Sequence, residues 1–258
     1  MRRLALPETV PYGIEVWLLT LNLHMPLSHR DLALLNDEER LQTLRFSRHE
    51  DRVRSVKTRA ALRRLLSWRI GVAPDELRLV VNPYGKPSLF GDSGIEFNVS
   101  HSGRFALIAL STTGQVGVDI ECCDREVDTE GLIEFVFSPL EHRSGMQTTK
   151  AFFERWVAKE SVLKALGLGI SEYLQTVSVF PGKGGAYEVA HERPDWEGIR
   201  AWSIRVPRNY AAAIAWKSRA TGKRGGRCGP DHPLTLSTGL SHLQTPQTGE
   251  SGRGKNQF

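Results

Sequence analysis

Apolar positions return along this chain in two rhythms, and the switch between them sketches its architecture. Glu15–Leu23 carries a short apolar run with strand character. From Asp37 to Ile70 the apolar residues recur at helical spacing, with an interruption near Ser47, which predicts one or two amphipathic helices closed by Gly71. Leu77–Val81 reads as a strand. The turn Asn82–Pro87 follows, where Gly85 supplies backbone freedom and prolines stiffen the flanks. Strands are predicted at Ile95–Val99 and Phe105–Ser111, with Ser100–Gly103 as the turn between them. A turn at Thr112–Gly114 then leads into Gln115–Glu121, so the run reads as an antiparallel meander.

The second half repeats this order. Helical periodicity covers 129–143 and 149–167, the latter ending at Gly167-Leu168-Gly169, where glycine suits a helix C-terminus. Strands follow at Thr176–Phe180, Tyr187–Ala190, Arg200–Val206 and Tyr210–Trp216. Helices followed by strands, twice over, predict an α+β fold of two similar α/β halves, residues 1–114 and 115–217. After Trp216 the rhythm stops. Residues 218–258 are rich in Gly, Ser, Thr, Pro and Gln, too polar to offset the entropy of ordering, and are expected to form a disordered tail.

With 40% hydrophobic and 24% charged residues among 258, the chain has enough apolar material for a buried core. Apolar runs such as Phe105–Leu110 are far short of a bilayer span, and the run before Pro7 is too short for a secretory signal, so a cytoplasmic location is expected with no membrane partner. Cys122 and Cys123 are adjacent and Cys228 stands alone, which gives no metal-binding CxxC pair. The net charge of +5 is unevenly distributed. Residues 40–69 hold ten Lys/Arg against Glu50 and Asp51, which suggests an acidic partner or a polyphosphate ligand. A nucleic-acid-binding module would use the same segment, but it would leave the carboxylates described next without a role.

Strand alternation puts Asp119 and Glu121 on one face with Ile120 on the other. Such a pair is commonplace on a half-exposed strand, yet it also suits Mg²⁺, which takes hard oxygen ligands and completes its shell with water and substrate phosphates. On the 149–167 helix, Trp156, Glu160 and Lys164 form one stripe. Glu160 and Lys164 alone could be an ordinary exposed i,i+4 ion pair, but Phe152, Phe153, Val157, Val162, Leu163 and Leu166 spread over several faces of the helix, which implies burial, and buried charges need partners such as a metal or phosphate. His101 with Ser100, and Lys86 in its turn, are candidate phosphate contacts. Together these groups point to magnesium-dependent chemistry on a phosphate ester.

At these residues the sequence resembles the Sfp-type 4′-phosphopantetheinyl transferases, in the strand Gly117-Val-Asp119-Ile-Glu121 and the helix Trp156-Val-Ala-Lys159-Glu160-Ser-Val-Leu-Lys164. Tyr84-Gly-Lys-Pro87, Phe97–Gly103, Phe137-Ser-Pro-Leu-Glu141 and Leu166-Gly-Leu-Gly169 are similar in kind and fall in family order. The resemblance implies a monomer of two halves related by a pseudo-twofold axis, with coenzyme A and Mg²⁺ in the cleft between them. It implies transfer of 4′-phosphopantetheine from coenzyme A to a serine of an apo acyl or peptidyl carrier protein, releasing 3′,5′-ADP. It also implies that Asp119, Glu121 and Glu160 hold the metal and that Glu160, or a water held near the metal, accepts the serine proton. Lys164 would neutralise the pyrophosphate and leaving group, while Lys86, Ser100, His101, Arg54 and Arg59 would hold coenzyme A phosphates.

Overall fold

The computed structural model describes residues 1–124, 129–144 and 148–219, so the expected tail lies, from residue 220 on, outside the described residues. The first half runs β1 (Arg2–Arg3), β2 (Ile14–Thr20), α1 (His29–Leu32), α2 (Asp37–Leu44), α3 (His49–Ile70), β3 (Leu79–Val81), β4 (Pro87–Leu89), β5 (Glu96–Ser102) and β6 (Phe105–Ser111). Asn36 and Glu39 form a capping box that starts α2, and Gly71, at φ 74°, closes α3 as the sequence predicts.

The second half runs β7 (Gly114–Cys122), α4 (Thr129–Val136), α5 (Pro139–Arg143), α6 (Thr149–Leu166), α7 (Ile170–Tyr173), β8 (Val177–Pro181), β9 (Ala186–His191), β10 (Arg200–Ser203) and β11 (Tyr210–Ser218). The helix predicted over 129–143 is thus two. Ser138 caps a new helix with Pro139 in its first turn, and proline disfavours helical geometry in the residue before it.

Two larger sheets form, in the orders β1-β2-β6-β5 and β7-β11-β10-β9-β8. The meander expected across Ile95–Glu121 therefore ends at β6. β7 leaves the first sheet and pairs along its whole length with β11. Alternation sorts the side chains into layers. Ala106, Ile108 and Leu110 of β6 face Leu62, Leu65 and Leu66 of α3, whereas Phe105, Leu107 and Ala109 pack on Val118, Ile120, Ala212 and Ile214 of the second sheet. The opposite face of that sheet, including Ala211, Ala213 and Ala215, lies under Trp156, Val157 and Leu163 of α6. The order of layers is helix, sheet, sheet, helix.

Where the sheets adjoin, β5 and β7 are joined by side chains. The Val118 amide donates to Asn98 Oδ1 (2.9 Å) and the Cys122 amide to Ser102 Oγ (3.1 Å). Both bonds link residues 20 apart, so the two strands run parallel along this seam. α6 packs on β7 at Gly117, where an added Cβ would stand 2.1 Å from Ser161 O and 2.3 Å from Ala165 N. Those are backbone atoms of α6. Gly117→Ala should therefore destabilise the protein by about 3 kcal/mol and abolish its activity, checked by urea unfolding and a transfer assay.

Much of the basic segment is engaged in ion pairs within the protein. Lys57 and Arg64 pair with Asp31 (2.7 and 2.6 Å), Arg59 and Arg63 with Glu39 (3.4 and 2.8 Å), Arg54 with Asp51 and Arg69 with Glu15. Asp31 and Glu39 each serve two cations, so part of the segment's positive charge stays uncancelled. No helix among the described residues is long and apolar enough to cross a membrane.

Candidate active site

β7 and α6 bring three carboxylates and one ammonium to the seam. Asp119, Glu121 and Glu160 are buried, Glu160 completely. Lys164 Nζ lies 2.5 Å from Asp119 Oδ1 and 3.1 Å from Glu160 Oε2, joining strand and helix as the spacing of the two motifs requires. From β5, Ser100 Oγ donates to Asp119 Oδ1 (2.6 Å) and Ser102 Oγ to Glu121 Oε2 (2.7 Å).

This arrangement is short of positive charge. Asp119 Oδ2 and Glu160 Oε1 are buried without a partner, and Glu160 Oε2 has only its ion pair to Lys164. Burial, followed by repulsion from Asp119, holds the Glu160 pKa well above the usual carboxylate range, although Lys164 opposes the shift. The Lys164 pKa is raised because Asp119 and Glu160 outweigh the cost of its own burial. Among the described residues no three His, Cys, Asp or Glu side chains are already gathered closely enough to hold an ion. The hard oxygen donors and their orphaned lone pairs nevertheless fit a divalent cation such as Mg²⁺, with Lys164 standing between two of the carboxylates.

The candidate anion contacts divide into two groups. β5 extends through Ser102, so His101 is a strand residue and the turn narrows to Gly103-Arg104. Alternation then sends Ser100 toward Asp119 and His101 to the α3 face, where Arg54 Nε donates to Gly103 O (3.1 Å). His101 is solvent-accessible but closely surrounded. Desolvation, then the Arg54 and Lys164 cations, push its pKa down to about 4, so it meets neutral solution as an uncharged imidazole. Arg59, five residues beyond Arg54, is turned about 140° around α3 and pairs with Glu39 instead. Lys86 also departs from the expectation of a free phosphate contact. Its ammonium donates to Val116 O and Ala165 O, both at 3.1 Å, and burial lowers its pKa to about 8.

Comparisons with known proteins point to one family. Residues 115–215 match the model of the 4′-phosphopantetheinyl transferase superfamily, and residues 27–113 match that of the 4′-phosphopantetheinyl transferase N-terminal region. A Synechocystis protein named as a 4′-phosphopantetheinyl transferase is 37% identical over 216 residues, covering 78% of this chain and 86% of its own length. The chain belongs to the 4′-phosphopantetheinyl transferase family. The Nostoc transferase HetI is 37% identical over 176 residues, covering 64% of this chain and 74% of its own length. The Bacillus subtilis transferase Sfp is 28% identical over 171 residues, covering 65% of this chain and 75% of its own.

This transferase also contains functional neighbours that the sequence reading passed over. Asn98 and Ser102 share the β7-facing side of β5 with Ser100, and the period-two spacing of three polar residues was the available signal. Glu141 and Lys159 form a completely buried ion pair behind Glu160, with Lys159 also donating to Val177 O (2.7 Å). Both lie in motifs that carried the resemblance, but no role was read for either.

Proposed function

We propose that this transferase moves 4′-phosphopantetheine from coenzyme A to a serine of an apo carrier protein, releasing 3′,5′-ADP, with Mg²⁺ held by Asp119, Glu121 and Glu160. The observation that carries the reading is the pair of buried carboxylates, Asp119 and Glu160, each with an unpartnered oxygen, beside Lys164. A bound Mg²⁺ would supply charge neutralisation for the pyrophosphate.

The chain's own residues divide the remaining work between its halves, residues 1–114 and 115–217. Glu160, or a water beside it, would accept the proton as the serine oxygen attacks the pantetheine-bearing phosphorus and the bond to the bridging oxygen breaks. Lys164 meets the charge that develops on the departing 3′,5′-ADP. Ser100 and Ser102 hold Asp119 and Glu121 in place. Arg54 and neutral His101 lie on the α3 face of β5 as contacts for coenzyme A phosphates.

The reading is tested by incubating the chain with coenzyme A, Mg²⁺ and a panel of apo acyl and peptidyl carrier proteins, followed by mass spectrometry. Gain of one phosphopantetheine on at least one carrier is expected, and no gain on any would overturn it. Arg54→Ala and His101→Ala should each raise the KM for coenzyme A about tenfold, the loss of one hydrogen bond to a charged group. Arg59→Ala should lower the melting temperature and leave that KM unchanged, measured by steady-state kinetics and thermal unfolding.

A further inference from the structure

We propose that Asn82 and Lys86 are positioning residues: the turn that bears them clamps the C-terminal end of α6 and so sets Glu160 and Lys164 against Asp119. The inference rests on the transferase reading above and concerns how its site is held together.

A helix end leaves carbonyls without partners. At the end of α6 the Gly167 amide donates to Lys164 O (3.2 Å) and the Leu168 amide to Leu163 O (3.0 Å). The carbonyls of Ala165 and Gly167 are met from the other half of the molecule, by Lys86 Nζ (3.1 Å) and Asn82 Nδ2 (2.7 Å). An ammonium here also lies at the negative end of the helix dipole.

The same ammonium donates to Val116 O of β7 (3.1 Å), one residue before Gly117, where helix and strand touch most closely. A single group thus bridges α6 and β7 next to Lys164, whose own ammonium stands between Asp119 and Glu160.

Asn82 is used at both ends of its amide. Oδ1 accepts from the amides of Tyr84 (3.0 Å) and Lys86 (2.9 Å), which shapes the turn, while Nδ2 reaches α6. Gly85, at φ 81°, lets the chain close, and the Asn82 amide donates back to Lys86 O (3.0 Å). Tyr84 extends the grip. Its ring lies where a Cβ on Gly169 would be 3.0 Å away, and it meets Tyr173 edge-on at 6.3 Å.

Asn82→Asp keeps the oxygen that shapes the turn and removes the donor to α6. Lys86→Met removes the ammonium and keeps its stem. In the full chain, with saturating carrier protein, each should lower kcat about tenfold or more while KM and the calorimetric Kd for coenzyme A change less than about twofold, since small misplacements cost rate before affinity. The double variant should fall less than the product of the two single losses, because both act on one clamp. Lys86→Arg should recover part of kcat.

A Lys86→Met enzyme with a raised KM and Kd for coenzyme A and an intact kcat would overturn the proposal by assigning that ammonium to the ligand. Wild-type kcat in Asn82→Asp would overturn it as well, and if that variant does not fold the Lys86 pair decides alone. Failure of the transferase reading would look different, as absence of transfer by the unaltered chain.

Discussion

A Glu160→Gln enzyme is expected to lose transfer activity at least a thousandfold and yet, in the presence of a chelator, to melt at a higher temperature than the unaltered protein. The first effect follows from removing a carboxylate from the proposed cation site and from the acceptor of the serine proton, since groups that stabilise charge in the transition state carry roughly 10²–10³ each. The second follows from burial. Glu160 is completely enclosed and shares its nearest cation, Lys164, with Asp119, so without a divalent cation its charge is a liability to the fold. A neutral amide of the same shape removes that liability, and each unit by which the carboxyl pKa was raised corresponds to about 1.4 kcal/mol.

The pH dependence has a definite sign. Because the folded-state pKa lies well above the ordinary 4.5, the native protein binds this proton more tightly than the unfolded chain. Stability of the metal-free protein should fall as pH rises above 4.5 and level off once the folded-state pKa is passed. Glu160→Gln should remove that contribution. Thermal melts of both proteins between pH 4 and 9, with chelator and with Mg²⁺, test the account. A variant no more stable than wild type in chelator would refute the burial argument, and one that retains transfer would remove Glu160 from the site.

Lys159→Met should cost the largest stability of any single substitution considered, about 3–5 kcal/mol, because it strands a buried charge. Lys159 and Glu141 are both fully enclosed. Glu141 also accepts from the amides of Ser138 and Val179, each at 2.9 Å, and so ties α5 and β8 to the helix that carries Glu160. Replacing the pair together, Lys159→Met with Glu141→Gln, should recover much of the loss, since no charge is then left unpaired. Urea denaturation of the three proteins measures this. A double variant as unstable as Lys159→Met would show that packing, rather than the stranded carboxylate, sets the cost.

Much of the fold was legible because its elements are strongly periodic. The interruption near Ser47, the closures at Gly71 and Gly167, and the four late strands could be read from spacing and glycine alone. The partner of β7 could not. Local sequence favoured a hairpin with β6, whereas the ladder it forms is to β11, about ninety residues later in the chain, and no local signal encodes that choice. The extension of β5 through His101 was obscured because a Ser-His-Ser-Gly stretch has turn composition, while its ladder to β6 and the side-chain bonds of Ser100 and Ser102 to β7 hold it in strand geometry.

In the site, alternation alone placed Asp119 and Glu121 on one face, and helical spacing placed Glu160 with Lys164. What spacing could not reveal was how the cations were employed. Arg59 and Lys86 are basic residues close in sequence to plausible ligand contacts, but one faces Glu39 and the other caps a helix. Sequence supplies the charge, and only the packed structure says what neutralises it.

The seam between β5 and β7 carries a consequence for inheritance. A backbone ladder is indifferent to which side chains it carries, so point mutations seldom alter it directly. Here the bonds to the Val118 and Cys122 amides and to the Asp119 and Glu121 carboxylates come from Asn98, Ser100 and Ser102, each specified by a single codon. The fit between the two halves is therefore a trait that selection can adjust one bond at a time, while both sheets keep their hydrogen-bonding order.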